Sequence, residues 1–396
     1  MSHVRRASSE THASYIPFYL RSILSSRSKH VPSTEPVEDA SFPNIEFNLF
    51  EQHVDCICHD LLSAKDEEFL SIAWVQKLLT GFLSCEEEFR VILTDNRAEF
   101  SKPPTDKLVS DLFDRSIKAL DICNAARDGI EKLRHQQKHL EIVLSALDPQ
   151  QQMIGEGHFR RARKALMELA LLTLEEKDSG SVFSPRNLSF GRTLKSKDSN
   201  RHQSGHSRSL SWSVSHSWSA TKQLQSIANN LTPPRAQDIA ATNGLAILIY
   251  TMNFVLLFVL WALVAAIPCQ DRSLNIHFAF PRQKSPPYPW SNSLHSLHDR
   301  IIDESKNQPN SNGLLKEICQ VEKYVHHITD LVDSVQFPLN EEQKEEVRAG
   351  VEELTLLAKV FKTELDPLER QLREVFRKIM SCRTEGLEVL GKSSEP

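Results

Sequence analysis

Apolar positions recur at spacings of three and four along most of this 396-residue chain, the period at which side chains share one face of a helix. Ile72, Val75, Leu79, Phe82 and Phe89 make one such face, with Lys77 and Glu86-Glu87-Glu88 on the polar positions between them. Pro103-Pro104 breaks that helix and can open the next. There Leu112, Ser116, Ala119, Cys123, Ala126, Ile130, Leu133, Gln137, Leu140 and Leu144 alternate steps of four and three, a heptad-like seam. Its small residues, at 116 to 126, would let a neighbouring helix approach closely, while the larger ones beyond fill a wider gap. Gly155 and Gly157 punctuate the chain before Phe159, Ala162, Leu166, Leu169 and Ala170. Further on, Ile318, Val321, Val325, Ile328, Val332 and Val335 form a stripe ended by Pro338. Val347, Val351, Leu354, Ala358, Phe361 and Leu365 form a second, ended at Pro367, and Leu368, Leu372, Val375, Ile379 and Cys382 a third, with Gly386 as its stop. No segment of strand period competes. The pattern predicts an all-α protein, a helical bundle built from an N-terminal block (46–178) and a C-terminal block (293–396).

Three stretches depart from this pattern. Residues 1–45 are rich in Ser, His and Arg without a sustained period and are expected to be a disordered tail. Residues 179–235 read as a Ser/Arg/His-rich flexible linker, with fourteen serines between 179 and 219 and with Leu210, Trp212, Val214 and Trp218 alternating with serine. Residues 244–268 hold an apolar helix without a charge, bounded by Gly244 and Pro268. Its 23 residues from Leu245 to Ile267 would measure about 35 Å, enough for a hydrocarbon core of about 30 Å. Leu245, Leu248, Leu256, Leu257, Val259, Leu260, Leu263 and Ile267 are the candidate membrane-segment residues. A central helix of a larger bundle fits the same composition. A single span would put the two helical blocks on opposite sides of a membrane, exposing Cys319 and Cys382 to an oxidising side.

Charge adds to this picture through its distribution. The net charge of −5 gives no reason to expect nucleic acid as a partner. Glu46 to Lys177 carries 17 basic and 24 acidic residues, and Ser293 to Pro396 carries 14 and 20. Between these acidic blocks, Ser179 to Lys222 has 7 basic residues and one acid, Asp198. That basic insert is suited to regulation by phosphate, each group adding about −1.5 to −2. Candidate phosphosites are Ser8 after Arg5-Arg6-Ala7, Ser184 before Pro185, and Ser209 and Ser211 just after Arg208. Seven scattered cysteines and an N-terminus without an apolar run argue for a reduced compartment. Cys56-Ile57-Cys58-His59 lacks a second ligand pair, and His326-His327 with Asp330 reads as a solvated face. No phosphate loop, nucleophile elbow or paired metal-ligand helix appears, so no enzyme activity, cofactor, metal or small-molecule substrate is expected.

The blocks Leu78-Leu79-Thr80-Gly81-Phe82-Leu83-Ser84-Cys85-Glu86-Glu87-Glu88-Phe89-Arg90, Lys102-Pro103-Pro104, Lys118-Ala119-Leu120-Asp121-Ile122-Cys123-Asn124-Ala125 and Gly155-Glu156-Gly157-His158-Phe159-Arg160-Arg161-Ala162 resemble the plant BYPASS-related family, in its ROH branch. So do Arg208-Ser209-Leu210-Ser211-Trp212-Ser213-Val214-Ser215, Ala265-Ala266-Ile267-Pro268-Cys269-Gln270-Asp271-Arg272, Asp333-Ser334-Val335-Gln336-Phe337-Pro338-Leu339 and Arg383-Thr384-Glu385-Gly386-Leu387, so the resemblance runs from about residue 46 to the end. The tail departs from that pattern. What the resemblance implies is a cytoplasmic, membrane-associated protein, single-pass or peripheral, that binds the exocyst's EXO-seventy subunits and modulates polarised secretion and cell-wall polysaccharide deposition. Relatives in the BYPASS branch imply the alternative of a soluble regulator of a root-derived developmental signal, with no exocyst role.

Overall fold

The computed structural model describes residues 42–148, 155–178, 219–269, 274, 276–281, 288–309, 311–334 and 337–391, and within them there are eleven helices and no strand. The described residues from Pro43 onward belong to one compact unit. The calls on Ser8, Ser184, Ser209 and Ser211, and those on the tail, lie outside the described residues.

Helix α1 (Phe42–Leu62) buries Phe47, Phe50, Val54, Cys58 and Leu61, and α2 (Ile72–Asp95) buries every residue of its expected stripe. α2 starts where two acceptors meet its first free N–H groups. The Ser71 hydroxyl accepts from the Trp74 amide, and the Glu317 carboxylate, far along the chain, accepts from the Ile72 amide at 3.0 Å. A single turn, α3 (Arg97–Phe100), leads to Pro104, which precedes the 42-residue α4 (Thr105–Ala146). The heptad-like seam is buried along α4 from Leu112 to Leu140, apart from the half-buried Gln137. There follow α5 (Glu156–Asp178), α6 (Ala220–Ala228), α7 (Ala236–Ala241), α8 (Leu245–Ala266), α9 (Ser291–Asn307), α10 (Lys316–Ser334) and the 51-residue α11 (Glu341–Gly391).

At about 1.5 Å per residue, α4 and α11 extend for roughly 60 and 75 Å, and they set the length of the bundle. Their pairs run in opposite senses: Arg383 donates to the Phe113 carbonyl, Arg134 meets Asp366 at 2.7 Å, and Lys362 lies 3.9 Å from Glu141. α4 and α11 are therefore antiparallel. Along α2 the order is the same as along α11, from Gln76 with Glu364 through Thr80 with Gln371 and Glu87 with Lys378 to Arg90 with Glu385. The N- and C-terminal blocks thus interlock along most of α11, with α8 inside.

Three expectations need correction. Pro367 does not end a helix: α11 runs through it, at the local cost of one missing N–H partner for the Thr363 carbonyl. The stripes on either side of it, Val347 to Leu365 and Leu368 to Cys382, are buried as one surface, and that continuity outweighs one lost bond. Gly386 is likewise inside α11 rather than its stop, because it lies under the Phe113 ring, where a Cβ would stand 1.9 Å from Cζ. Finally, the last part of the stretch read as linker is folded. Ser219 caps α6 by accepting from the Lys222 amide, and Ala220, Leu224, Ile227 and Leu231 are buried against α4 and α8.

Candidate functional site

The most distinctive local chemistry surrounds α8. Leu245, Leu248, Leu256, Leu257, Val259, Leu260, Leu263 and Ile267 are all buried, the last just past the helix end. The helix is long and apolar enough to cross a membrane by length and composition, yet other parts of the same protein cover it. α2, α4 and α6 pack against it. Elsewhere aromatic rings do so: Phe278 and Phe280, from the non-helical segment 276–281, lie 5.9 and 5.3 Å from Phe254, and His298 of α9 stacks on Trp261 at 4.8 Å. The Trp261 indole N–H donates to the Leu274 carbonyl.

Both ends of α8 are finished by tertiary contacts. Gly244 takes φ 90°, a left-handed conformation open to glycine, at the turn into the helix. At the other end the Ala265 and Ala266 carbonyls, which have no partner within the helix, accept from the Leu314 and Leu315 amides at 3.0 and 3.1 Å. Gly313 permits that approach, since a Cβ there would meet the Ala266 oxygen at 2.5 Å.

The polar side chains of α8 are engaged in part: Asn253 donates to the Ile249 carbonyl at 2.8 Å while its side-chain oxygen is buried without a partner. The Thr251 hydroxyl donates to Glu51 Oε1 of α1 at 3.1 Å and accepts from the Trp290 indole N–H at 3.2 Å. Burial raises the Glu51 carboxyl to about 7, with the Thr251 and Trp290 bonds opposing that rise. Glu86 of α2 is a second buried acid, raised to about 7 by burial and bonded to the Cys382 thiol. With Met252 and Leu256 of α8 it lines a cavity of about 20 Å³. The sequence analysis passed over both acids. A signal was present: Glu51 falls on the stripe Phe47, Val54, Cys58, and Glu86 between Phe82 and Phe89, so each is an acid on an apolar face.

Elsewhere the chemistry is sparse. Cys58 is buried and its thiol pushed up to about 12 by burial, an inert environment, while Cys56 is exposed and His59 turns to Asp55. His326 is exposed and sits 3.8 Å from Asp330, and among the described residues no three His, Cys, Asp or Glu side chains converge as metal ligands. An open groove of about 930 Å³ lies between α9, α10 and the turn after α1. Its Arg300 is already held by Asp66 at 2.8 Å and lies over the Phe69 ring. Charges of both signs line it without converging on one point.

Comparison with known proteins adds identity to this geometry. The family profile described as Protein ROH1-like matches residues 11–390, so the match includes most of the tail expected to depart from the family. The chain is 54% identical over 374 residues to Protein ROH1D of Arabidopsis thaliana, covering 91% of this chain and 92% of that protein. It is 37% identical over 391 residues to Protein ROH1A of the same plant, covering 89% and 92%. No solved structure matches.

Proposed function

The chain belongs to the ROH1-like family of plant proteins, and from that premise we propose that it is a non-enzymatic helical adaptor that binds an EXO-seventy subunit of the exocyst, modulates polarised secretion and cell-wall polysaccharide deposition, and meets membranes peripherally. The observation that carries the peripheral part is the set of apolar stripes on α2, α4 and α6, which are buried against α8. Withdrawing α8 into a bilayer would leave those stripes in water, at roughly 25 cal/mol for each Å² exposed. The adaptor part is supported by the family resemblance and by the long charged helix faces outside the core.

Two measurements on the full chain test this. Immobilised protein should retain a recombinant EXO-seventy subunit, and alkaline carbonate should release the protein from plant membranes in folded form. Failure to retain the subunit would sink the exocyst role and favour the soluble developmental regulator. Carbonate-resistant protein would mean that α8 is a span. The acceptor sequence Asn230-Leu231-Thr232, before α8, supplies a separate check, since an endoglycosidase-sensitive mass shift would place that side of the helix in a lumen.

A further inference from the structure

The outer ridge of α5 is unlike the rest of the N-terminal block. Between Glu156 and Met167 it has four cations, Arg160, Arg161, Arg163 and Lys164, and one acid, although the block as a whole is acidic. Arg163 is committed to structure, pairing with Asp333 at 2.7 Å and donating to the Val332 carbonyl, which ties α5 to α10. Arg160 and Lys164 are each 79% exposed. Met167, in helical register with them at steps of four and three, is 62% exposed, the most exposed large apolar side chain of the described residues. Phe337, edge-on to Phe159 at 5.2 Å, adds a second apolar tip at the α10 side. Two acids border the ridge in exposed pairs, which are weak enough for a surface anion to compete with: Glu156 meets Arg160 at 3.0 Å, and Glu168 lies 3.6 Å from His139 and 3.9 Å from Lys164.

We infer that this ridge is a docking surface for an anionic lipid bilayer, with Arg160, Arg161 and Lys164 at the headgroups and Met167 and Phe337 entering the interface. Charge complementarity decides the occupant. Long cations around exposed apolar tips on a convex helix match the level where headgroup charge and acyl chains meet. A ridge without a concavity offers a protein ligand little to fill. Beyond Met167 the last turns of α5 are acidic, with Glu168, Glu175, Glu176 and Asp178 against Lys177, and the chain is basic again from Ser179 to Lys222, with seven cations and one acid. The inference rests on the reading of α8 as a core helix, since a span would hold the protein at the membrane without the ridge.

The test is sedimentation of the full chain with vesicles of phosphatidylcholine alone and of phosphatidylcholine mixed with phosphatidylserine, at about 0.1 M salt, where screening still permits contact-range attraction. The natural protein should prefer the phosphatidylserine vesicles, and the variant Arg160→Glu/Arg161→Glu/Lys164→Glu should lose on the order of a hundredfold in partitioning. Lys344→Glu/Arg348→Glu, exposed cations on α11, should bind as the natural protein does. If charge reversal disturbs the melt, the glutamine version of the three positions takes its place. Equal binding by natural and ridge-variant protein would assign the attraction to the following basic stretch and overturn the ridge. Absence of any phosphatidylserine preference would overturn it too and leave an acidic protein as the fitting partner. Carbonate release of the bound protein reads the core-helix assignment separately, so the two failures are distinguishable.

Discussion

α8 and α11 bury apolar surface in the same core by opposite designs. α11 is amphipathic over its 51 residues, with one buried stripe from Val347 to Cys382 and a charged outer face held by local pairs such as Lys344–Glu341 and Arg348–Glu345. α8 has no outer face: Leu245 to Ala266 is apolar on every side, and the bundle closes around it. An all-apolar helix of that length has the same composition whether lipid or protein surrounds it. What separates the cases is the remainder of the chain. Lipid needs no partners, whereas a core helix needs amphipathic neighbours with stripes to spare, and here α2, α4 and α6 supply them.

The contrast also concerns how position is specified. α11 is set in register by its polar margin, through Gln371 with Thr80, Lys378 with Glu87 and Arg90 with Glu385. A featureless apolar cylinder could rotate or slide at little cost. Thr251, joined to Glu51 and Trp290, and the carbonyls capped by Leu314 and Leu315, supply the directional contacts that fix it.

The largest expected effect comes from putting a charge into α8. Leu256 is 3% exposed, and Leu256→Lys forces an ammonium and its stem into a packed core, where the Glu86 carboxyl lining the same small cavity offsets only part of the desolvation and overpacking, so a loss of about 4 kcal/mol or more is expected. Circular dichroism and thermal melting should show loss of the folded bundle. If the helical signal and the melt are unchanged while membrane association disappears, α8 is a span and the comparison above collapses.

Next in size is the proton dependence of the Glu51 contact. Its carboxyl lies near 7 in the folded protein, above the ordinary carboxylate range, so the native state holds a proton that the unfolded chain has released. Stability from this group is complete below about 4.5, falls as pH rises toward 7, and is level above that. Glu51→Gln keeps an oxygen for the Thr251 hydroxyl and cannot ionise. Urea midpoints should therefore place it level with the natural protein near pH 5 and up to about 3 kcal/mol above it at pH 8. The same difference taken across pH isolates Glu51 from His298, which burial shifts downward and which acts in the opposite sense. An equal gap at both pH values would show that Glu51 is already charged in its site.

Much of this was legible in the sequence, and the misses share a cause. The stripes of α2, α4, α10 and α11 follow from period alone, because each element buries one face. Pro367 and Gly386 were misread because a local breaker signal was weighed without its tertiary surroundings, the continuous stripe in one case and the Phe113 ring in the other. Glu51 and Glu86 escaped because a glutamate at a stripe position still looks like a helix former. The groove between α9 and α10 joins residues about 230 positions or more apart, as in the pair Arg300–Asp66, and period cannot report such proximity.

Gly386→Ala gives a smaller effect whose sign tells a glycine packed under a ring from one on an open helix face. In an open helix face alanine would stabilise by roughly 0.5–1 kcal/mol through propensity. Against Phe113 the new Cβ must displace a packed ring, and a loss of about 1–3 kcal/mol is expected. A denaturant midpoint above that of the natural protein would show that the α4–α11 contact yields without strain.

The smallest effect sharpens the comparison most directly, because it repeats the first exchange on the other helix. Leu356 of α11 is 56% exposed, on the outward side of a helix whose stripe at Leu354 and Ala358 faces the core. Leu356→Lys removes a half-wetted apolar side chain and adds one more cation to a face where Glu353 and Glu352 lie three and four residues away. Helix propensity hardly changes, since leucine and lysine rank close together. The change in stability should stay within about 0.5 kcal/mol, against about 4 kcal/mol or more at Leu256. Measured side by side under one denaturant gradient, the two variants report burial alone, with residue types held constant. A cost at Leu356 approaching that at Leu256 would mean that the outer face of α11 is covered in solution, by another copy of the chain or by a bound partner, and light scattering on the same samples would tell which.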